Sequence, residues 1–188
     1  MPTLNATAGD PNANSYATVE EADTYHDTLV NADAATWSNA SADDKARALI
    51  MATRILDQQI EWLGYVSSNT QALQWPRTYM DTDKRMLLWP PGAQPFDWWN
   101  AYYVDPTTVP QRLKDATSEF ARQLLAANRT ADDELSQKGI TRISAGTVEV
   151  SFTGYARPDV IPDAVFYMVR PWGRIRHRSE SFVPLRRS

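Results

Sequence analysis

The stretch Leu73-Gln74-Trp75-Pro76-Arg77, "LQWPR", separates two segments whose apolar residues recur at helical spacing. Pro76 has no backbone N–H and biases Trp75 toward an extended backbone, so neither residue continues a helix. Two hypotheses compete for the trio Trp75, Pro76 and Arg77. One is a stacking platform for a nucleic-acid base, and the other is a structural corner in a protein that contacts other protein chains.

Two capped helices are predicted before this corner. Thr18 and Glu21 have the spacing of a capping box, in which the hydroxyl accepts from a free amide and the glutamate reaches back. A second helix is expected to open at Ser41, with acids in its first turn where the helix dipole favours them. Gly64 is expected to end this helix. Its buried face is predicted to comprise Ala46, Leu49, Ile50, Thr53, Leu56, Ile60 and Leu63.

The pattern changes twice after the corner. Residues 80–108 combine prolines and aromatics without a clean period, which predicts a long ordered loop. A third helix is expected from Pro110, since proline is favoured at the first helical position, and a last helix is expected between Pro162 and Pro171. Between these two helices, alternating segments predict a hairpin or a kinked ribbon.

These elements predict a mainly α fold. It is a small bundle of about four helices with a β-hairpin or strand excursion, a long aromatic loop and extended termini. We expect a flexible N-terminal arm over 1–14 and a helical domain over 15–172. The domain contains the inserted loop 80–108 and the β excursion 137–153, and a basic C-terminal tail follows over 173–188.

Charge is spread unevenly along the chain. The whole chain carries −4, and six arginines against Glu180 give the stretch from Arg170 onward +5, so residues 1–169 carry −9. Because phosphate contacts need positive charge, this acidic body argues against general nucleic-acid binding. The basic tail is expected to meet an acidic partner, which is either nucleic acid or an acidic protein surface.

The sequence offers no local motif for catalysis or metal binding. It has no cysteine, only two histidines, and no cluster with the spacing of metal ligands. It also lacks a glycine-rich phosphate loop and a nucleophile elbow. We therefore expect no enzyme activity, no catalytic or metal site and no cofactor. No apolar run approaches the roughly 18–20 residues of a membrane span, so no membrane partner is expected.

The aromatic loop admits three interpretations, which are core filling, protein–protein contact and stacking on single-stranded nucleic acid. Stacking on nucleic acid normally uses interleaved lysines and arginines, and residues 86–109 contain neither. This counts against the nucleic-acid hypothesis for the loop. The aromatics concerned are Trp89, Phe96, Trp98, Trp99, Tyr102 and Tyr103.

Several stretches in a fixed order resemble a family of tailed-bacteriophage proteins. They are "SYATVEEADTYH" at 15–26, "QALQWPRT" at 71–78, "VPQRLKDATSEFARQLL" at 109–125 and "IPDAVFYMVRPW" at 161–172. Members are often labelled DnaT-like single-stranded-DNA-binding proteins, and the family is similar to head–tail connector, or adaptor, proteins. The resemblance covers roughly residues 15–79 and 109–172, and "LxWPR" is its most specific part.

The resemblance implies a virion structural protein of the phage neck, made in the host cytoplasm. Such a protein forms a ring with itself, usually of twelve copies, between the portal protein and a tail, tail-terminator or nozzle protein. Packaged double-stranded DNA would touch it in passing. The alternative is a single-stranded-DNA-binding accessory protein of phage replication.

Two sets of candidate site residues accompany these expectations. Subunit-interface candidates are Trp75, Arg77, Trp89, Phe96, Trp98, Trp99, Tyr102 and Tyr103. Candidates for contact with the portal or DNA are Arg174, Arg176, Arg178, Arg186 and Arg187.

Overall fold

A computed structural model of the chain describes residues 3–30, 34–81, 103–127, 142–145, 148–151 and 160–176. Helices dominate these ranges, and the strands form small two-stranded antiparallel sheets, which confirms the predicted fold class. The helices are α1 (Val19–Asp27), α2 (Ala34–Ser38), α3 (Ala42–Gln59), α4 (Gln111–Ala126) and α5 (Asp163–Val169). The strands are β1 (Ile60–Trp62), β2 (Tyr65–Val66), β3 (Arg77–Thr78), β4 (Arg142–Ala145), β5 (Val148–Ser151) and β6 (Gly173–Ile175).

The predicted helix starts are confirmed, because each depends on local chemistry. The Thr18 hydroxyl accepts from the Glu21 amide at 3.2 Å, and the Glu21 carboxylate accepts from the Thr18 amide at 2.9 Å, which completes the capping box. Ser41 caps α3 in the same way by accepting from the Asp44 amide at 3.2 Å. Pro110 and Pro162 stand immediately before α4 and α5 rather than inside them.

Helix α3 ends earlier than its apolar stripe predicts. It stops at Gln59, and the chain continues as β1, which pairs antiparallel with β6. This pairing buries Ile60 and Trp62 against the rest of the fold, which a continued helix would not do. Leu63, predicted to be buried, is 45% exposed, and Gly64 takes a left-handed backbone (φ +66°) in the turn to β2 rather than at a helix end.

The core lies where α3 crosses α4, with α1 and α5 against α4. Leu49 and Leu56 from α3 meet Leu113 and Phe120 from α4, and all four side chains are fully buried. Burial of apolar surface at roughly 25 cal/mol per Å² is the main favourable term in such a core. The two central helices therefore form the frame on which the shorter elements are placed.

Polar contacts fix the position of α1 on this frame. The Lys114 ammonium donates to the Glu21 carboxylate at 2.6 Å, and the Lys45 ammonium donates to the Asp23 carboxylate at 2.8 Å. Buried His26 has its Nε2 3.1 Å from the Ser118 carbonyl oxygen. Because these partners come from α3 and α4, they set the register of α1 against both central helices.

The short helix α2 was not predicted from the sequence. Its Trp37 is 1% exposed, and the indole N–H donates to the Asp23 carboxylate at 2.7 Å. Five residues are too few for a helical period to be read, so packing of one tryptophan against α1 decides this element. Among the described helices, none is long and apolar enough to cross a membrane.

The segment expected as a flexible N-terminal arm forms a hydrogen-bonded loop from residue 3 onward. The Asn14 side chain accepts from the Asn5 amide at 2.9 Å and donates to the Thr3 carbonyl at 2.8 Å, which closes a loop. The Asp10 carbonyl accepts from the Ala72 amide at 3.2 Å and ties the loop to the stretch before the corner. The side chains of Asn5 and Asn14 bind backbone groups within this segment.

The residues at the two ends of the aromatic loop pair with each other. Asp81 and Tyr103 form an antiparallel bridge, and the Val104 amide donates to the Met80 carbonyl at 2.7 Å. Most of the predicted loop 80–108, namely residues 82–102, lies outside the described residues. In the β excursion, β4 pairs with β5 as predicted, and the remainder of 137–153 and the tail from 177 also lie outside.

We predict that Leu49→Ala lowers the free energy of unfolding by about 2–5 kcal/mol, because it leaves a cavity between α3 and α4. Met51→Ala on the 36%-exposed side of α3 is the control, and a change of only ~0.5 kcal/mol is expected there. Denaturant unfolding followed by circular dichroism measures both. Equal losses for the two variants would contradict the assignment of the core.

Candidate nucleic-acid interface

Trp75 lies in the interior of the fold and not on a surface platform. It is 1% exposed, and its ring meets Trp62 edge-on at a centroid distance of 5.9 Å and Trp172 at 5.4 Å. The Trp75–Pro76 peptide bond is cis, which turns the chain sharply at this point. Three tryptophans from distant parts of the sequence thus enclose the corner, and the LQWPR stretch serves the fold of the single chain.

Arg77 holds this corner to the end of β1. Its guanidinium donates to the carbonyl oxygens of Leu63 (2.6 Å), Gly64 (2.8 Å) and Gln74 (3.0 Å), and to the Gln74 side-chain oxygen at 3.1 Å. The side chain is buried, so these carbonyls replace the water that the charge has lost. The fork of guanidinium donors can reach several carbonyls at once, which a lysine ammonium does less well.

Asp57 is a second polar centre beside the corner. Its carboxylate accepts from the Tyr16 hydroxyl, the Trp62 indole N–H at 3.2 Å and the Gln74 amide at 3.2 Å. Burial raises the pKa of the Asp57 carboxyl above its ordinary value, although these hydrogen bonds and the nearby Arg77 charge oppose the rise. Asp57 and Arg77 together satisfy the backbone groups that the corner leaves without helical partners.

The structure separates the predicted subunit-interface residues. The side chains of Trp75 and Arg77 are buried inside the chain, and Arg77 binds backbone carbonyls of the same chain. Tyr103 is partly exposed at the base of the aromatic loop. The others lie outside the described residues, and they are Trp89, Phe96, Trp98, Trp99 and Tyr102.

Two of the predicted DNA-contact residues line a groove. Arg174 and Arg176 are exposed on and just after β6, while Gly173 between Trp172 and Arg174 is buried. The groove, of about 1030 Å³, is bounded by these arginines, by Arg170, and by Phe166 and Tyr167 of α5. We call it the arginine groove. Arg178, Arg186 and Arg187 lie outside the described residues.

An exposed aromatic ring and a cation are paired on one wall of the arginine groove. Tyr167 is 57% exposed, and the Arg170 guanidinium lies 5.6 Å from its ring centroid. The backbone beneath is fixed, because the Arg112 guanidinium of α4 donates to the Tyr167 carbonyl at 2.8 Å. The groove therefore combines three guanidinium groups with an accessible aromatic face.

Two carboxylates reduce the net positive charge of the groove. Glu61 and Asp163 both line it, and Glu61 stands directly opposite Arg174 in the β1–β6 ladder. Opposite charges at facing positions stabilise an antiparallel pair by a few tenths of a kcal/mol to about 1 kcal/mol. Any anion that binds Arg174 must compete with Glu61, so the groove suits a ligand that contacts several arginines together.

Arg174 and Arg176 were predicted from the sequence, whereas the contribution of α5 to the groove was not. Tyr167 and Arg170 stand three residues apart, a spacing that brings two side chains together on a helix. That spacing was a usable signal for an aromatic–cation pair. It could not show that the pair faces β6, since this follows only from how α5 and the β1–β6 ribbon pack.

A family model described as "Putative DnaT-like ssDNA binding protein" matches residues 3–187. The chain belongs to this family. The match spans the helical body, the LQWPR corner and the arginine groove. No curated protein and no solved structure matches the chain.

This family assignment corrects the prediction of a connector. The label expected from the resemblance is confirmed, but the predicted dodecameric, portal-binding ring of the virion neck is wrong, because the matching family is described by single-stranded-DNA binding. The helix order that suggested a connector occurs in a family with a different description. Apolar helix patterns of this kind specify packing and carry little information about function.

We predict that Arg77→Lys destabilises the fold, because one ammonium cannot replace the guanidinium fork. Each buried carbonyl left without a donor is expected to cost about 1–3 kcal/mol in free energy of unfolding. Arg47→Lys is the matched control, since the Arg47 side chain is 62% exposed on α3 and its change should be close to zero. Urea denaturation midpoints of the two variants give the comparison. Equal midpoints would show that the hydrogen bonds of the Arg77 guanidinium to carbonyls do not stabilise the fold.

We predict that Asp57 titrates above its ordinary pKa of 3.8 in the folded chain. The folded state then holds the Asp57 proton more tightly than the unfolded state does. The contribution of Asp57 to stability is therefore full below pH 3.8 and declines as pH rises toward the raised pKa.

Carboxyl chemical shifts measured by NMR across this range test the direction. Unfolding of the wild type and of Asp57→Asn at the same pH values tests the consequence, because the asparagine does not titrate. A titration midpoint for Asp57 below pH 3.8 would contradict the conclusion that burial has the largest effect on its pKa.

Proposed function

We propose that this chain is a single-stranded-DNA-binding protein that uses the arginine groove, and that it acts as an accessory protein of DNA replication without catalysing a reaction. The observation that carries the proposal is the meeting of Arg170, Arg174 and Arg176 with the exposed ring of Tyr167 in one groove. The family description supports the same ligand.

In this proposal the three arginines contact phosphates of the strand. Guanidinium groups bind phosphate oxygens through two parallel N–H donors, which gives both charge and geometry. Arg174 and Arg176 project from an extended backbone two residues apart, so both lie on the same side of it. Spaced in this way, they suit successive phosphates of an extended chain.

Tyr167 supplies a stacking face for a base. Stacking of a base on an aromatic side chain tolerates any sequence, because every base has a π face. In a duplex those faces are covered by neighbouring base pairs, so an isolated exposed tyrosine beside a phosphate-binding row favours single strands. The Arg170 guanidinium beside the ring adds a cation that can stack or bind phosphate.

The acidic body limits where DNA can bind. Residues 1–169 carry −9, so most of the surface repels a polyanion. The arginines of the groove and the tail stand out against this background. Binding is therefore expected to be confined to the C-terminal side of the molecule and to weaken steeply as salt increases.

We predict that Arg174→Ala with Arg176→Ala weakens binding of a fluorescent oligothymidine and flattens the salt dependence. For single strands the slope of log affinity against log salt is about −0.7 for each phosphate contact, so losing two contacts should change it by about 1.4. Fluorescence anisotropy at several salt concentrations measures both quantities. Competition with unlabelled duplex of the same length measures the preference for single strands.

Two full-length variants serve as controls. Arg47→Ala with Arg54→Ala removes the same charge from exposed positions on α3 and should leave the slope nearly unchanged. The triple variant Arg178→Ala, Arg186→Ala and Arg187→Ala separates the groove from the rest of the tail. Equal effects of the groove and α3 variants, or equal affinity for duplex and single strand, would contradict the proposal.

A further inference from the structure

A row of exposed tyrosines lies outside the arginine groove. Tyr65 and Tyr79 are 71% and 60% exposed, and their ring centroids are 6.3 Å apart in an edge-to-face pair. Tyr79 makes a second edge-to-face pair with Tyr103, also at 6.3 Å. We call these three residues the tyrosine row. Large aromatic side chains exposed next to one another on a surface indicate a binding site more often than isolated ones do.

One residue of the tyrosine row, Tyr79, has an energetically unfavourable backbone conformation. Tyr79 adopts a left-handed backbone (φ +59°), which is uncommon for a bulky side chain and is typical of functional sites. The same turn buries Met80, which is 2% exposed. Gly64 permits the close approach of β2 and β3, since a Cβ there would lie 2.4 Å from the Thr78 carbonyl oxygen. The fold thus fixes the positions of Tyr65 and Tyr79 from both strands.

The tyrosine row lies a short distance along the chain from the arginine groove. Glu61 of the groove, Leu63 and Tyr65 are all exposed, and the turn at Gly64 separates β1 from β2. Four residues of extended chain span at most about 13 Å, so Tyr65 lies within that distance of Glu61. Arg77 binds the carbonyls of Leu63 and Gly64, which makes this connection rigid.

We infer that the tyrosine row is a second base-stacking site for the strand held in the arginine groove. The inference rests on the proposed function. The occupant is single-stranded DNA because Tyr65 lies within about 13 Å of Glu61 in the groove and the row presents exposed rings that stack on any base. Arg77 of β3 is buried, so its charge is committed to carbonyls and not to phosphate.

The two sites differ in the physics of binding. The arginine groove attracts phosphates and loses affinity as salt rises, whereas stacking on Tyr65 and Tyr79 is insensitive to salt. The row also lies beyond the groove along the strand, so only oligonucleotides long enough to reach it gain from it. These two differences allow each site to be tested separately.

The experiment compares oligothymidines of about 4 and about 16 nucleotides, the range of site sizes in single-strand-binding domains, on full-length protein. Tyr65→Ala with Tyr79→Ala should lower affinity for the long strand about tenfold, with an unchanged salt slope and unchanged affinity for the short strand. Tyr65→Phe with Tyr79→Phe keeps both rings and should bind like the wild type. Photocrosslinking to iodouracil-containing strands should label Tyr65 or Tyr79 in the long complex only.

The possible failures are distinguishable. If the alanine variant is folded by circular dichroism and binds the long strand like the wild type while the Arg174 and Arg176 variant binds it weakly, this inference is overturned and the proposed function stands. If light scattering shows that the alanine variant loses a self-association that the wild type has, with unchanged DNA affinity, the row belongs to a second copy and the inference is again overturned. If the wild type binds neither strand, both proposals fail.

Discussion

The buried guanidinium of Arg77 is the interaction on which the surrounding structure depends. It gathers carbonyl oxygens from the end of β1, from the turn at Gly64 and from Gln74 of the corner. None of these carbonyls is inside a helix, and buried carbonyls without donors would each destabilise the fold by an amount comparable to a lost hydrogen bond. Arg77 therefore supplies donors to three backbone carbonyls in the stretch where the chain leaves α3 and turns.

The tryptophans around the corner connect Arg77 and its carbonyl partners to the C-terminal part of the chain. Trp75 packs against Trp172, and the Trp172 indole N–H donates to the Asp81 carbonyl at 2.9 Å. Trp172 directly precedes β6, so burying it also sets where Arg174 and Arg176 emerge. The corner therefore acts on the arginine groove through packing, although the side chains of Trp75, Pro76 and Arg77 are buried.

The charge distribution of the molecule is compatible with the proposed binding of single-stranded DNA, although the chain as a whole is negatively charged. The body repels phosphate, whereas Arg170, Arg174 and Arg176 form a local exception beside the tail. Glu61 and Asp163 reduce the positive potential of that exception, so a single anion gains little there. A polyanion that contacts several arginines and also stacks its bases gains from each contact, which is the property expected of a single-strand-binding surface.

The predicted helix starts at Thr18, Ser41, Pro110 and Pro162 were correct because caps and prolines act within one turn of the chain. The break at Trp75 and Pro76 was predictable for the same reason, and so was the basic character of the C-terminal stretch. The apolar stripe of α3 misled at Leu63, because periodicity cannot show that Ile60 and Trp62 will pair with β6.

What only the tertiary structure decided is where the long-range partners lie. Burial of Trp75 between Trp62 and Trp172, the binding of the Leu63 and Gly64 carbonyls by Arg77, and the pairing of Arg174 with Glu61 all join residues more than ten positions apart in the sequence. The sequence determined that this chain would be helical, capped and acidic with a basic end, since those properties are local or additive. The groove exists only after β6 returns to β1, because pairing of distant strands depends on the packing of the whole chain and not on any pattern within either strand.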